Sequence, residues 1–513
     1  MSNAVERVGV DGPGWVQSDT RTIRGLFPLS VERYLNRVVA RLAPGVTTVT
    51  TGARYYALHG LIADEADAAG LSMPEAQNLL RRSEVVLAVA SQVHEQRSAG
   101  IHQPLATAHA ADTVRVRLRD GSLDMREVAK TGVGSYARGN WGFMGQYRGS
   151  EMTLRIVGTG SRLAPGPNFD AGMVREALSP VLTLARQDTL SEEDLEQYPD
   201  LCLCRTAYCT DGAWLARLFA ATDPTGETSS IRRQTMQMLT TAVEESPIRT
   251  VDGDLTAFVA YSPALLSHDR LADSAICRQW RGVVFRYESV NAWRSLWEAL
   301  VDRIGQHATV TRQELRDWLA DHVPAGTVAD FQRNLPDTLD NLGQPAPAER
   351  TEEVLSAPQP LRCISILALG ARRHGELTGQ ELLGFQGPAQ NDVFEELAPM
   401  WMAHRLHSWA DRPMRDFAAD LVDVLINRSQ RIALLKTRFD RRTGRVTIPT
   451  RVQVRDDLVY RLHTETALTA SLRWWQLLRM GEQTGLFRRD PSLGTGAGEA
   501  ATWRLGPRGD LLV

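Results

Sequence analysis

Nine cationic side chains stand between residues 428 and 455 of this 513-residue chain: Arg428, Arg431, Lys436, Arg438, Arg441, Arg442, Arg445, Arg451 and Arg455, with Asp440 as the only acid. Eight uncompensated charges in 28 residues repel one another unless a polyanion lies nearby. Nucleic-acid phosphate is the usual polyanion, and planar guanidinium forks match its oxygens two at a time. The alternatives are a solvated face, or a surface that docks on an acidic partner or on the acidic remainder of the same chain. Residues 401–513 carry about +7, whereas residues 1–400 carry about -10 of the total of -3.

The end of the chain adds to this reading. Leu472 to Glu482 has helical character and stops near Gly485, and Leu486-Phe487-Arg488-Arg489 follows as a strand. After the loose tip Gly494-Thr495-Gly496-Ala497-Gly498, Thr502-Trp503-Arg504-Leu505 returns as a second strand. Helix, strand, loop and strand over about sixty residues resemble the C-terminal part of winged-helix domains, whose wing touches the backbone beside a groove-bound helix. The resemblance places Arg473 and Arg479 on the helix, and Arg488, Arg489, Arg504 and Arg508 on or beside the wing. Trp474 and Trp475 are neighbours, so at least one is expected to face the core.

Other clusters have ordinary explanations. Gly132 to Gly149 interleaves six glycines with Tyr136, Trp141, Phe143 and Tyr147. It matches no phosphate-cradling template and reads as an ordered loop whose rings fill a gap between helical layers. Cys202, Cys204 and Cys209 lie close together, but zinc needs four ligands, and neither a histidine nor a fourth cysteine is near in sequence. They read as buried thiols, so no metal ligand is assigned. His404 and His407, with Asp411 a turn on, fit a helix surface, and His268-Asp269 lacks the partners a metal phosphohydrolase needs.

The near-absence of lysine removes whole enzyme classes. Lysine and arginine total 58, yet only Lys130 and Lys436 are lysines. Neither follows a glycine turn, so no phosphate-binding P-loop exists, and the glycine-rich stretch follows Lys130 rather than preceding it, as a protein kinase would require. No Gly-x-Ser-x-Gly elbow and no His-Glu-x-x-His helix occurs. No catalytic residue and no cofactor is therefore assigned. Five cysteines argue for a reducing compartment, and no apolar run reaches the roughly 18 residues of a membrane helix. The N-terminus has no apolar segment of the secretory kind, so a cytoplasmic protein away from membranes is expected.

Helical patterns must position these residues. Leu35, Val38, Val39 and Leu42 recur at helical spacing, and Ala53 to Ala69, Pro74 to Gln96 and Ser229 to Glu245 read as further helices. A short acidic helix opens at Ser191, and Thr311 with Glu314 has capping-box spacing before Glu314 to His322. Val393 to Ser408, Met414 to Lys436 and Leu458 to Glu482 also read as helical, while Thr113 to Leu123 reads as a strand leading to a hairpin. The expected fold is mainly α and multi-domain, with small β elements and a C-terminal winged-helix-like unit. Its expected parts are a tail (1–20), an N-terminal helical domain (21–190), a middle helical domain (191–343), a Pro-, Ala- and Glu-rich linker (344–360) and a basic domain (361–513).

Two segments, Arg24-Gly25-Leu26 through Thr47-Thr48 to Ala53-Arg54-Tyr55-Tyr56 and Asn140-Trp141-Gly142-Phe143-Met144-Gly145, resemble uncharacterised bacterial proteins of anti-phage defence loci. The resemblance covers under a fifth of the chain, implies a context and carries no site residue. The expected function is a subunit of a defence or DNA-processing complex that contacts double-stranded DNA mainly through its backbone, with further protein subunits as partners. The rival reading is a non-catalytic scaffold that docks through its basic C-terminal surface.

Overall fold

The computed structural model describes residues 20–97, 108–118, 121–133, 135–158, 160, 162–307, 309–387, 396–466, 469–490 and 501–513. The fold is mainly α with small β elements, as expected. In chain order its principal helices are α1 (Arg54–Ala68), α2 (Met73–Arg97), α3 (Ala171–Ala185), α4 (Thr210–Ala220), α5 (Glu227–Glu245), α6 (Ala275–Gly305), α7 (Arg312–Ala320), α8 (Gln359–Glu376), α9 (Pro399–Ser408), α10 (Met414–Leu435) and α11 (Trp474–Thr484). The strands are β1 (Thr20–Ile23), β2 (Ser122–Asp124), β3 (Thr189–Ser191), β4 (Val310–Thr311), β5 (Arg438–Asp440), β6 (Arg445–Pro449), β7 (Val452–Arg455), β8 (Leu458–Arg461), β9 (Phe487–Asp490) and β10 (Thr502–Leu505).

Two compact units divide the chain, and neither is continuous in sequence. One comprises residues 1–38, 259–263 and 278–471; the other comprises 39–258, 264–277 and 472–513. The boundaries expected at 190, 343 and 360 do not separate them, because hydrophobic periodicity reports which face of an element is buried and not which distant element buries it. Residues 344–360, expected as a linker, are packed structure. Ala348 and Glu349 are buried, Leu339 bridges to Pro345, and Glu352–Ser356 is a short helix capped by Thr351. Glu349 draws the segment inward by receiving the Arg373 guanidinium at 2.5 and 2.6 Å.

The unit containing residues 278–471 is organised on α6, which contributes Arg278–Gly305 to it. Trp280, Trp293 and Trp297 are fully buried along that helix. Gly282 and Gly384 let α6 and the helix Gly379–Gln386 approach closely: an added Cβ at either glycine would lie about 2 Å from the carbonyl oxygen of Glu381 or Gln279. α7 packs on α10, and α8 on α9. Two small sheets complete the unit, ordered β1-β6-β5 and β4-β8-β7. Leu458 to Arg461, expected as the start of a helix, is strand β8; the helix begins at Trp474, after Arg473 takes a left-handed backbone with φ 60°. The short apolar run Leu458-Val459-Tyr460 suits a strand as well as a helix, and pairing with β7 decides the matter.

In the second unit α1 is central, with eleven of its fifteen residues buried. α2 and α3 pack against it and against each other, and α4 meets α1, α3, α5 and α11. The start of Thr113 to Leu123, expected as a strand leading to a hairpin, lies instead in the short helix Ala111–Arg117, and the strand pairing joins Ser122–Asp124 to Thr189–Ser191. α11 leads into the antiparallel pair β9–β10, the helix-then-strands order read from the sequence; the glycine tip at 494–498 lies outside the described residues. Trp474 faces the core at 0% exposure, whereas Trp475 is 43% exposed.

One ion pair ties this unit together. Arg54, at the start of α1, is 1% exposed and donates from Nε and Nη2 to the two Asp211 oxygens at 2.8 and 3.1 Å. Its Nη1 donates to the carbonyls of Asp200 and Cys202. Replacing Asp211 with Ala leaves a guanidinium buried without its counter-charge, and the expected loss is about 3–5 kcal/mol of stability. Urea titration followed by far-UV circular dichroism measures it, and a loss below about 1 kcal/mol would contradict the assignment.

Candidate functional site

The fourteen cations picked out in the sequence part into two groups. Arg428 is buried, donating to the Leu29 carbonyl at 2.6 Å and lying 3.6 Å from Glu396, which also pairs with Arg431. Lys436 donates to the carbonyls of Leu26 and Phe27, both at 2.9 Å. Arg451, 3% exposed, pairs with Glu465 at 2.8 Å. In the other unit Arg473 donates to the Val46 carbonyl at 2.8 Å, Arg479 and Arg489 both face Glu482, and Arg488 faces Asp490 at 3.3 Å. Eight of the fourteen are thus engaged inside their own unit. Arg438, Arg441, Arg442, Arg445, Arg455 and Arg504 are exposed and make no ion pair among the described residues.

Four of those six share one hairpin, and the sheet around it explains how. β5 pairs with β6 antiparallel, so Arg438 lies opposite Thr447 and Asp440 opposite Arg445. Alternation puts all four side chains on one face. Val446 and Ile448 point the other way and are buried with Ala433 of α10. β1 pairs with β6 parallel and sets Arg21 opposite Thr447, which adds a third exposed arginine to the outer face. Arg441 and Arg442 stand at the turn. Asp440, the only acid of the hairpin, is taken up by that turn: it accepts from the Arg442 amide at 2.9 Å and the Thr443 hydroxyl at 2.8 Å. Arg21 is invisible to a local charge count because more than 400 residues separate it from β6.

The winged-helix comparison fares differently as a binding device. Eight of the eleven residues of α11 are buried, and the helix packs on α4, β9 and the short helix Leu203–Tyr208. Its outward strip is Trp475, with Arg479 stacked over the ring at 5.4 Å, and Glu482. A helix so enclosed has no bare face to lay in a DNA groove.

The Gly132–Gly149 stretch, expected as a loop throughout, is a loop only as far as Phe143, because Met144–Thr153 is a helix; its described residues close over a buried charge cluster. His59 of α1 lies between Glu151 and Glu84, with Nδ1 2.5 Å from Glu151 and Nε2 3.0 Å from Glu84. Tyr136 and the amides of Phe143 and Met144 donate to Glu84. Gly142 is required there: its φ is +51°, and an added Cβ would meet the Glu84 carboxylate at 2.2 Å. Next to this cluster Tyr147 accepts from the amides of Thr51 and Gly52 and meets His109 Nε2 at 2.9 Å. All three members, His59, Glu84 and Glu151, are 0% exposed, so the cluster is part of the core. Burial pulls the His59 pKa down, but the Glu151 charge and the hydrogen bonds to both carboxylates outweigh it and hold it at about 9. Burial, then the charge on His59, lowers His109 to about 4. A histidine raised above its unfolded value of roughly 6.5 stabilises fully below that pH and loses the contribution as pH rises through about 9. Stability relative to His59→Gln should therefore fall between roughly pH 6.5 and about 9, read by urea midpoints across that range; a flat difference would exclude a charged His59.

Folding also supplies what the cysteine spacing lacked. His94, near the end of α2, brings Nδ1 to 3.2 Å from Cys204 Sγ, and the Cys202 and Cys204 sulfurs are 3.1 Å apart. His94 and Cys204 are half-buried and Cys202 is buried. The shared hydrogen bond with Cys204, and then burial, push the Cys202 thiol well above its ordinary range. Among the described residues this is the only group of three potential metal ligands within reach of one another. His404 and His407 are exposed on α9 and belong to no such group. Sequence reading missed His94 because 108 residues separate it from Cys202; the sole hint was the Cys-x-Cys spacing.

No protein-family model, no curated protein and no solved structure matches the chain.

Proposed function

We propose that this protein binds double-stranded DNA through the phosphate backbone, using the outer face of the β1-β6-β5 sheet and the β5–β6 turn. The observation that carries the proposal is the gathering of Arg21, Arg438, Arg445, Arg441 and Arg442, all exposed and without an ion-pair partner among the described residues, on one small sheet. Neighbouring strands are about 4.8 Å apart, so Arg21 and Arg438, one strand either side of β6, stand roughly 10 Å apart. Rigid strands hold their stems, and guanidinium forks reach phosphate oxygens from there. Contacts of this kind position a protein on the duplex without reading bases. The resemblance to proteins of anti-phage defence loci supports a role within a defence or DNA-processing complex.

About five phosphate contacts predict an affinity that falls by roughly 10²–10³ between 50 and 200 mM salt. Fluorescence anisotropy with two duplexes of unrelated sequence would measure it. Charge reversal in the double variant R441E/R442E should weaken both duplexes equally and flatten the salt slope by about two. Absent binding, or affinity indifferent to salt, rejects the proposal.

One observation favours the scaffold reading. Leu26, Phe27, Leu434, Leu435 and Phe439 are 71, 41, 51, 80 and 56% exposed, close in sequence to Lys436 or to the carbonyls it binds. Apolar side chains beside cations suit a protein partner with an acidic rim. That reading predicts association in light scattering that persists after nuclease treatment and weakens in Leu435→Asp.

A further inference from the structure

We propose that His94, Cys202 and Cys204 bind one zinc ion and leave a fourth coordination position for water or an outside ligand. Two sulfurs and one imidazole nitrogen are a donor set suited to zinc, a borderline-soft cation. Zinc–sulfur bonds of about 2.3 Å and zinc–nitrogen bonds of about 2.0 Å in a tetrahedron place the donors roughly 3.5–3.8 Å from each other. The observed separations are 3.1 Å between the sulfurs and 3.2 Å from Cys204 to His94, and all three donors lie within 4.8 Å of one another. Opening the sulfur–sulfur contact by about 0.7 Å and the sulfur–nitrogen contact by about 0.3 Å would seat the ion.

The fold holds this geometry on both sides. The Leu203 amide donates to Ser91 Oγ at 3.3 Å, and Ser91 lies one helical turn before His94, so the cysteine segment is pinned to the helix face that carries the histidine. From below, the Arg54 guanidinium holds the Cys202 carbonyl at 2.8 Å. Both anchors act on the backbone. Cys209 takes no part: its sulfur is directed to the carbonyls of Arg205 and Asp200, at 3.3 and 3.8 Å. With three protein donors among the described residues, two of them partly open to solvent, the centre has the composition of zinc sites that retain an exchangeable position rather than of closed four-ligand sites.

Cobalt(II) reports the donor set directly. Titrated into the full-length reduced protein, CoCl2 should give a sulfur-to-cobalt charge-transfer band and tetrahedral d–d bands that saturate at one equivalent per chain. ZnCl2 should abolish both. Cys204→Ser should lose the charge-transfer intensity of one thiolate, and His94→Ala should weaken binding by more than about 10–100-fold, the loss typical of outer-shell changes alone. Circular dichroism confirms that each variant is folded. A test without variants runs alongside: ZnCl2 should protect the half-exposed Cys204 from iodoacetamide, mapped by mass spectrometry. Cobalt spectra without a thiolate band, or alkylation at Cys204 unchanged by zinc, would overturn the proposal. Neither measurement involves DNA, so it stands or falls apart from the phosphate-binding reading.

Discussion

A buried guanidinium carries five N–H donors and a charge it cannot lose, and Arg54 meets both demands by gripping one carboxylate and two carbonyls together. Asp211 opens α4, Asp200 and Cys202 belong to the segment leading to the Leu203–Tyr208 turn, and Arg54 itself starts α1. The start of α1 is thereby fixed to a stretch of chain roughly 150 residues further on. The Cys202 backbone, the wall of the cysteine–histidine cluster, inherits its position from this contact. Remove the counter-charge and the cost is paid across the whole unit, because the desolvated cation has nowhere to go.

The same device recurs in the other unit. Arg373 is 1% exposed, fastened to Glu349, and its guanidinium lies 4.1 Å from the Phe285 ring centre. Arg451 and Glu465 repeat it near β7, and Arg428 reaches the Leu29 carbonyl. A chain with two lysines uses arginine for internal cross-links, where a planar fork can satisfy several acceptors at once. Much of the positive charge counted along residues 401–513 is therefore spent indoors. Among the described residues, what reaches solvent unpaired is narrower, and its densest part is the outer face of one three-stranded sheet and its turn.

Local pattern was legible wherever it was periodic and capped. The helices at 54–68, 73–97, 227–245 and 414–435 lie within a few residues of the expected spans, and the capping box of Thr311 with Glu314 opens α7 as its spacing requires. The Gly132–Gly149 stretch was legible as a loop only up to Phe143; the helix that starts at Met144 was hidden by Gly145 and Gly149, poor helix formers that tertiary packing overrides. Long and nearly uniform patterns were harder. α6, 31 residues with buried tryptophans and arginines on its flanks, was not recognised, since a helix enclosed on many sides loses the polar stripe that marks its period. Leu458 to Arg461 went the other way, apolar enough for a helix yet paired as a strand.

Composition and spacing alone determined the helical class, the lack of a Gly-Lys-Ser/Thr phosphate-loop motif and the place in the chain where positive charge accumulates, because each is a property of neighbouring residues. Tertiary structure decided which of those charges face water, which histidine joins Cys202 and Cys204, and that Arg21 belongs beside Arg438. Those outcomes depend on contacts between residues 14 to more than 400 positions apart, such as Arg451 with Glu465 and Arg21 with β6. The energies that select them, desolvation of a charge and closure of a sheet, are set by the surroundings a side chain finds only after folding.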